Sequence, residues 1–335
     1  MQHYAAITGW GMAVPARVVA NAELTTLVDT SDEWIRSRTG IGQRRLAAPD
    51  EYTSVLATAA AQQAIARAGI EPAQIELVIL ATCTPDRLFP ATACTVQANL
   101  NLPHAGAFDL VAACSGFVYG LTVGTRMIQS GAHRTVLVIA ADLFSHILNW
   151  HDRATCVLFG DGAGAVVLQA TPEPLGLLSA VLRSAGQHEQ HMAIAAGGTR
   201  QPLTPELLDA GGHFFTMNGG EVYRHAVRDM TTSSLEAVAA AGLTIDAIDV
   251  MIPHQANIRI IDALANRLMV PRERIFVNLE RYGNTSAASV PLALCEAAAA
   301  GWLNAGSRVL LSAFGGGFTW ASAVVRWGIP TTLVP

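Results

Sequence analysis

Asp109-Leu110-Val111-Ala112-Ala113-Cys114-Ser115-Gly116-Phe117-Val118-Tyr119-Gly120 decides the architecture, because an apolar run stops at a cysteine and a helix pattern starts beyond it. From Ala107 to Ala113 the run is β-like and apolar apart from Asp109. After the cysteine, Phe117, Leu121, Val123 and Met127 recur at roughly helical spacing. A strand that runs into a helix within so few residues is the building unit of α/β folds. The junction also sets an expectation for the thiol. In the first turn of a helix, unpaired N–H groups and the helix dipole favour thiolate over thiol. Cysteine is equally at home as a small buried hydrophobe, so the junction alone leaves a structural role open.

The same alternation extends in both directions. Glu51 to Gly69 reads as an Ala-rich amphipathic helix, Ile75 to Thr82 as a buried parallel-type strand, and Arg134 to Ala141 as another. Upstream, Ala5 to Val14 is β-like, and Thr30 with Glu33 forms a capping-box pattern for a helix that ends at Gly40 and puts Trp34 and Arg38 on one side. Phe89 is a large apolar side chain in the turn-rich loop Pro85 to Pro90. Residues 171 to 216, rich in Pro and Gly, read as an irregular connection. Beyond a long helix from about Asn218 to Ala241 the first pattern returns. Ile248 to Ile252 resembles the strand from Ile75, Ser286 to Leu303 resembles the helix after Cys114, and Arg308 to Ala313 resembles the strand from Arg134. The glycine cluster Gly160-Asp161-Gly162-Ala163-Gly164 is answered by Gly315-Gly316-Gly317. The first cluster lies inside one β-like run and is not followed by a helix, so a dinucleotide-binding loop is not expected. Two copies of one mostly parallel βαβ unit are implied, over 1–170 and 171–335.

Composition narrows the chemistry. With 335 residues, 51% of them hydrophobic and 14% charged, the chain can bury a large core covered on both faces of its sheet. All 21 basic residues are Arg. Schiff-base chemistry, lysine-linked pyridoxal phosphate, a P-loop lysine and a Ser-Lys dyad are therefore excluded. A net charge of −5 gives no overall attraction to nucleic acid. The five scattered cysteines lack paired spacing, which argues against a disulfide framework or zinc site and for a reducing cytoplasm. Neither a secretory signal nor a run long enough to span a membrane is read in the sequence.

Two polar stretches stand at the ends of strand-like runs in the second half: Pro253-His254-Gln255-Ala256-Asn257 and Tyr282-Gly283-Asn284-Thr285-Ser286-Ala287-Ala288-Ser289. Strand ends of an α/β sheet converge on the ligand crevice, so His254 and Asn284 can meet Cys114 there. Together with Ala113-Cys114-Ser115-Gly116-Phe117, Asp29-Thr30-Ser31-Asp32-Glu33-Trp34 and Gly315-Gly316-Gly317-Phe318-Thr319-Trp320, these stretches resemble the β-ketoacyl-acyl-carrier-protein synthase III family over essentially the whole chain.

The resemblance implies a duplicated thiolase-like αβαβα five-layer sandwich, a homodimer, and acylation of Cys114 by an acyl-CoA primer. A malonyl thioester on acyl carrier protein then loses CO₂ and attacks the acyl group, with no metal or organic cofactor. It assigns the catalytic triad to Cys114, His254 and Asn284, and the oxyanion hole to the N–H groups of Cys114 and Gly316. CoA binding falls to Trp34, Arg38 and Arg153. The acyl pocket falls to Phe89, reaching across the dimer interface, and Phe159; carrier docking falls to Arg259 and Arg224, with Arg228 as an extension. Gly220 departs from the family, which often has Asn there. A related starter enzyme of polyketide or secondary metabolism, a papain-like thiol hydrolase and an inactive dimeric scaffold are the rival readings.

Overall fold

The computed structural model describes residues 3–334. Nine strands carry the fold: β1 (Tyr4–Ala13), β2 (Leu77–Ala81), β3 (Gly106–Leu110), β4 (Thr135–Leu143), β5 (Asp161–Thr171), β6 (Gly176–Ser184), β7 (Val250–Pro253), β8 (Arg308–Gly315) and β9 (Thr319–Arg326). Their order across the sheet is β7-β8-β9-β6-β1-β5-β4-β2-β3. The centre of this order is a seam. β1 and β6 meet at one register pair, Ala5 opposite Gly176, where a Cβ on Gly176 would stand 1.7 Å from the Ala5 carbonyl oxygen. With φ at +80° there as well, only glycine lets the two ribbons join.

On each side of the seam the pairings repeat. β2 and β4 pair in parallel, β4 and β5 antiparallel, β5 and β1 antiparallel; β7 and β8 pair in parallel, β8 and β9 antiparallel, β9 and β6 antiparallel. Strand β3, parallel to β2, has as its counterpart a single parallel bridge between Met251 and Ile275.

The helices supply the other layers. Helix α1 (Asp32–Thr39) lies beside the site described below. Helices α2 (Thr53–Ala68) and α3 (Thr92–Asn99) cover one outer face, on β1, β4 and β5 and on β2 and β3. Helices α4 (Gly116–Gln129) and α7 (Ser289–Ala299) lie between the two half-sheets. Helix α5 (Gly219–Ala240) covers β6, β8 and β9 on the far outer face, with α6 (Ile258–Leu268) packed on it. The result is a thiolase-like αβαβα sandwich with three apolar fillings. Phe117, Leu121, Val138 and Leu311 belong to the middle one, Val227, Leu264 and Leu310 to one outer one, and Ala60, Leu80 and Leu137 to the other. Every residue of β4 and β5 is buried, which is why these strands are written as continuous apolar runs rather than alternating ones.

Two local expectations are revised. Ser31, not Thr30, caps α1, its hydroxyl accepting from the Trp34 N–H at 3.0 Å. The stretch 171–216 contains the nine-residue strand β6, hidden by the Pro and Gly that flank it. Pro291 lies in the first turn of α7, where its missing N–H costs no helical bond.

Candidate active site

Cys114 stands between β3 and α4, but not inside the helix. Ala113–Ser115 forms one tight 3₁₀ turn before α4 begins at Gly116, and Ala113 takes a left-handed φ of +46°. The thiol is 2% exposed, and its Sγ is 3.4 Å from the Ser286 hydroxyl. Burial pushes it up to about 12; the Ser286 hydroxyl opposes this only in part, and the nearby Asp142 carboxyl adds to it. The thiol thus sits in a tight turn just ahead of the helix and not in its first turn, and its burial favours the protonated form.

His254 follows β7 and is 5% exposed, with its backbone N–H on the Ser312 carbonyl at 2.8 Å. Burial brings the ring down to about 3, so the imidazole is neutral near pH 7. Its Nδ1 lies 2.6 Å from the Ser289 hydroxyl at the start of α7. Asn284 is pinned through its backbone to Leu158 and Gly160, at 2.8 and 3.0 Å. Its side-chain Oδ1 accepts from the Ser286 N–H at 2.8 Å. The amide oxygen is occupied, so Nδ2 is the group left to donate.

Cys114, His254 and Asn284 all line one cavity of about 470 Å³, together with Phe314, Met192, Arg38 and Arg259. Cys114 and Met192 also line a second cavity of about 370 Å³, walled by Phe144, Ile147, Phe215, Cys83 and Gly316. His254 and Asn284 border only the first.

The glycine turn from Gly315 to Gly317 presses against the thiol's backbone. A Cβ on Gly315 would come 2.5 Å from the Cys114 nitrogen, whereas one on Gly316 would meet nothing closer than Met192 at 3.4 Å. Close approach therefore demands glycine at 315. Gly316 borders the second cavity.

At the mouth, two guanidiniums lie against the Trp34 indole. The Arg38 and Arg153 carbons are each 5.0 Å from its ring centroid. Arg153 also donates to the Asp29 carbonyl at 2.7 Å. Arg259 is exposed at the rim of the larger cavity. Arg224, exposed on α5, is bonded to Glu221, and Arg228 is held by Asp229 at 2.7 Å, which removes it from a free basic patch. Gly220 lines the rim as well, where an added Cβ would find Asn218 at 3.7 Å. Phe159 is fully buried and does not touch the second cavity; it backs Phe144, stacked at 4.4 Å, and Phe215, edge-on at 5.3 Å, which do. Phe89 is 88% exposed and outside both cavities of its own chain, beside Leu88 at 90%.

Several site residues carried no signal of their own. Asp142 is a fully buried carboxyl that accepts from the Cys83 N–H at 2.7 Å and the Ala287 N–H at 3.1 Å, tying the floor of the second cavity to the loop that carries Asn284. Burial pushes it up, and those N–H donors pull against the rise. Its only mark in the sequence is an acid at the end of an apolar strand. Ser286 and Ser289 lie inside a stretch already singled out, but nothing there distinguishes them from helix-start serines. Among the described residues no group of His, Cys, Asp and Glu is arranged to hold a metal ion, and no helix is long and apolar enough to cross a membrane.

A thiolase-like sandwich that brings a cysteine, a histidine and an asparagine to one cavity is a setting suited to acyl transfer. The family description 3-oxoacyl-[acyl-carrier-protein] synthase III matches residues 108–186, and its C-terminal part matches 238–327. A β-ketoacyl-[acyl-carrier-protein] synthase III of Roseiflexus sp. is 64% identical over 98% of this chain and 99% of the relative. One of Symbiobacterium thermophilum is 51% identical over 96% and 98%. Among solved structures, the synthase III of Aquifex aeolicus superposes with a TM-score of 0.90 at 42% identity, over 96% of this chain and all of that one. The priming β-ketosynthase of the R1128 polyketide pathway does so with 0.91 at 35%, over 98% of each chain. The chain belongs to the 3-oxoacyl-[acyl-carrier-protein] synthase III family, and it is a condensing acyltransferase.

Proposed function

We propose that the chain joins an acyl-CoA primer to malonyl-acyl-carrier protein by decarboxylative Claisen condensation, initiating type II fatty-acid synthesis, with Cys114, His254 and Asn284 as the reacting set. One observation carries the assignment of roles: the thiol borders two cavities while His254 and Asn284 border one of them. The second cavity then takes the primer's chain and the first takes the pantetheine arm.

In the first half-reaction Cys114 Sγ forms a bond to the primer's carbonyl carbon, the CoA sulfur departs, and the thiol proton leaves with it. The N–H groups of Cys114 and Gly316 are suited to hold the oxyanion. In the second, the bond between the malonyl methylene and its carboxylate breaks, CO₂ departs, and the electron pair becomes an enolate. Neutral His254 and Asn284 bring no negative charge to oppose it. The enolate carbon attacks the acyl group, the bond to Sγ breaks, and the thiolate takes up one proton. No metal or redox group is required by this balance.

Trp34, Arg38 and Arg153 suit a nucleotide, through stacking and charge. Exposed Arg259 suits an acidic carrier protein, and Arg224 joins it by exchanging its Glu221 partner for a carrier carboxylate. The exposed pair Leu88 and Phe89, with Val111 at 76%, suits a partner copy of the chain, Phe89 closing the partner's acyl cavity. The two halves, 1–170 with the nucleophile and 171–335 with the donors, act as one unit in a cytoplasmic enzyme.

The test is stepwise. Incubation with an acyl-CoA should leave a stable acyl group on Cys114 by mass spectrometry, and malonyl-carrier protein should discharge it as a β-ketoacyl product. Turnover to free acid alone would refute condensation. Likeness to the polyketide priming enzyme supports a second reading, specialised-product priming; equal use of malonyl-CoA and malonyl-carrier protein would favour it.

A further inference from the structure

We infer that the Ser289 hydroxyl fixes which nitrogen of His254 carries the proton, making His254 a hydrogen-bond donor toward the larger cavity and not the base that deprotonates Cys114. The inference rests on the condensing role proposed above and deepens it.

The Ser289 hydroxyl is 2% exposed and has two neighbours, the Gln255 backbone N–H at 3.2 Å and His254 Nδ1 at 2.6 Å. A hydroxyl has one hydrogen to give and two lone pairs to receive. The Gln255 N–H can only donate, so it takes one lone pair. If Nδ1 also carried a proton, the hydroxyl would accept from both, and its own hydrogen would point at no acceptor among the described residues. Leaving a buried donor unpaired in this way disfavours that arrangement by roughly tenfold to a hundredfold. With Nδ1 bare, the hydroxyl donates to it and every group is paired. The proton of the neutral ring then sits on Nε2.

No neighbouring amide competes for Nδ1. The Gln255 side chain is spent on the Pro253 and Phe276 carbonyls, at 2.7 and 3.3 Å, and on the Asn278 N–H at 3.0 Å. Both anchors belong to the framework, His254 at the end of β7 and Ser289 at the first residue of α7. The tautomer is set by where a strand ends and a helix begins, before substrate arrives. Nε2–H joins the free Asn284 Nδ2 as a second donor for the enolate oxygen. To take the thiol proton instead, the ring would have to become a buried cation. The hydrogen-bond partner the structure gives the Cys114 thiol is Ser286, not His254. Ser289 is thus a positioning residue that acts through His254.

The test uses the whole enzyme labelled with ¹⁵N-histidine. In the wild type, His254 should show a protonated Nε2 and a bare Nδ1; a protonated Nδ1 overturns the inference. Ser289→Ala should slow malonyl decarboxylation and condensation about 10- to 100-fold while acylation of Cys114 by acyl-CoA stays within about threefold. Ser289→Thr, which keeps the hydroxyl, should recover most of the loss. Decarboxylation unchanged in Ser289→Ala, with His254→Ala inactive, sinks the inference alone; a fully active His254→Ala sinks the condensing mechanism beneath it. If Ser289→Ala does not fold, the wild-type nitrogen signals still decide.

Discussion

Gly315→Ala adds one methyl group where the structure has no room for it. The new Cβ would stand 2.5 Å from the Cys114 nitrogen and 2.9 Å from the Ala113 Cβ. Ordinary contact begins near 3.4 Å, so the glycine turn and the nucleophile's backbone must part by close to 1 Å. That nitrogen is one of the two proposed oxyanion donors, and donors act only within about 2.7–3.1 Å of the oxygen. Losing one costs about 10²–10³ in rate, and a displacement of about 1 Å costs about 10². The kcat/KM for acylation by acyl-CoA should therefore fall about 100-fold, equivalent to about 2.7 kcal/mol of transition-state binding. Overpacking should lower stability by about 1–3 kcal/mol as well. Gly316→Ala is the control: its Cβ would meet Met192 at 3.4 Å and it keeps its N–H, so acylation should stay within about fivefold of wild type. Rapid-quench mass spectrometry of acyl-Cys114, beside thermal melts, measures both. Wild-type acylation by Gly315→Ala, or equal loss in both variants, would show that this contact does not hold the nucleophile in place.

The remaining predictions concern the thiol and the two ends of the site. Iodoacetamide reacts with thiolate, and burial holds the Cys114 thiol up to about 12, so its alkylation should rise tenfold per pH unit through pH 9 and beyond. At pH 8 it should run about 30- to 60-fold slower than a free thiol titrating at 9, the smaller thiolate fraction being partly offset by the greater nucleophilicity of a more basic thiolate, and a plateau reached below pH 9 would speak for a dipole-stabilised thiolate instead. Trp34→Ala removes the ring against which Arg38 and Arg153 lie; KM for acyl-CoA should rise about 3- to 30-fold, while an acyl-pantetheine primer without the nucleotide should be unaffected. Phe144→Ala leaves a hole against Phe159 and Phe215; denaturant titration should show a loss of about 3–5 kcal/mol, and a primer panel should shift toward longer or branched chains.

What the sequence discloses follows physical lines. The buried strands were legible because full burial writes itself as an apolar run, as in β4, and α5 because its twenty-two residues hold helical spacing throughout. Cys114, His254 and Asn284 stood out because each breaks such a pattern with a reactive or polar group at an element's end. β6 was not legible, since its Pro- and Gly-rich neighbours resemble a connection and its partners, β9 and β1, are remote in sequence. The environment of the thiol is not legible for a related reason. A helix start is a local signal, while the burial that outweighs it is contributed by side chains from both halves. The Asp142 and Ser289 contacts span 145 and 35 positions, and nothing in their immediate neighbours announces them.

The two cavities that share Cys114 impose a rule of traffic. On the roles proposed for the two cavities, once the primer's chain lies in the smaller one the larger is the passage by which CoA leaves and the carrier arm arrives. A malonyl arm that enters before the thiol is acylated closes the route to the primer, so excess malonyl-carrier protein slows the enzyme that consumes it. The rate of initiation then follows the ratio of the two thioesters, and a single reactive residue becomes a gauge of primer supply.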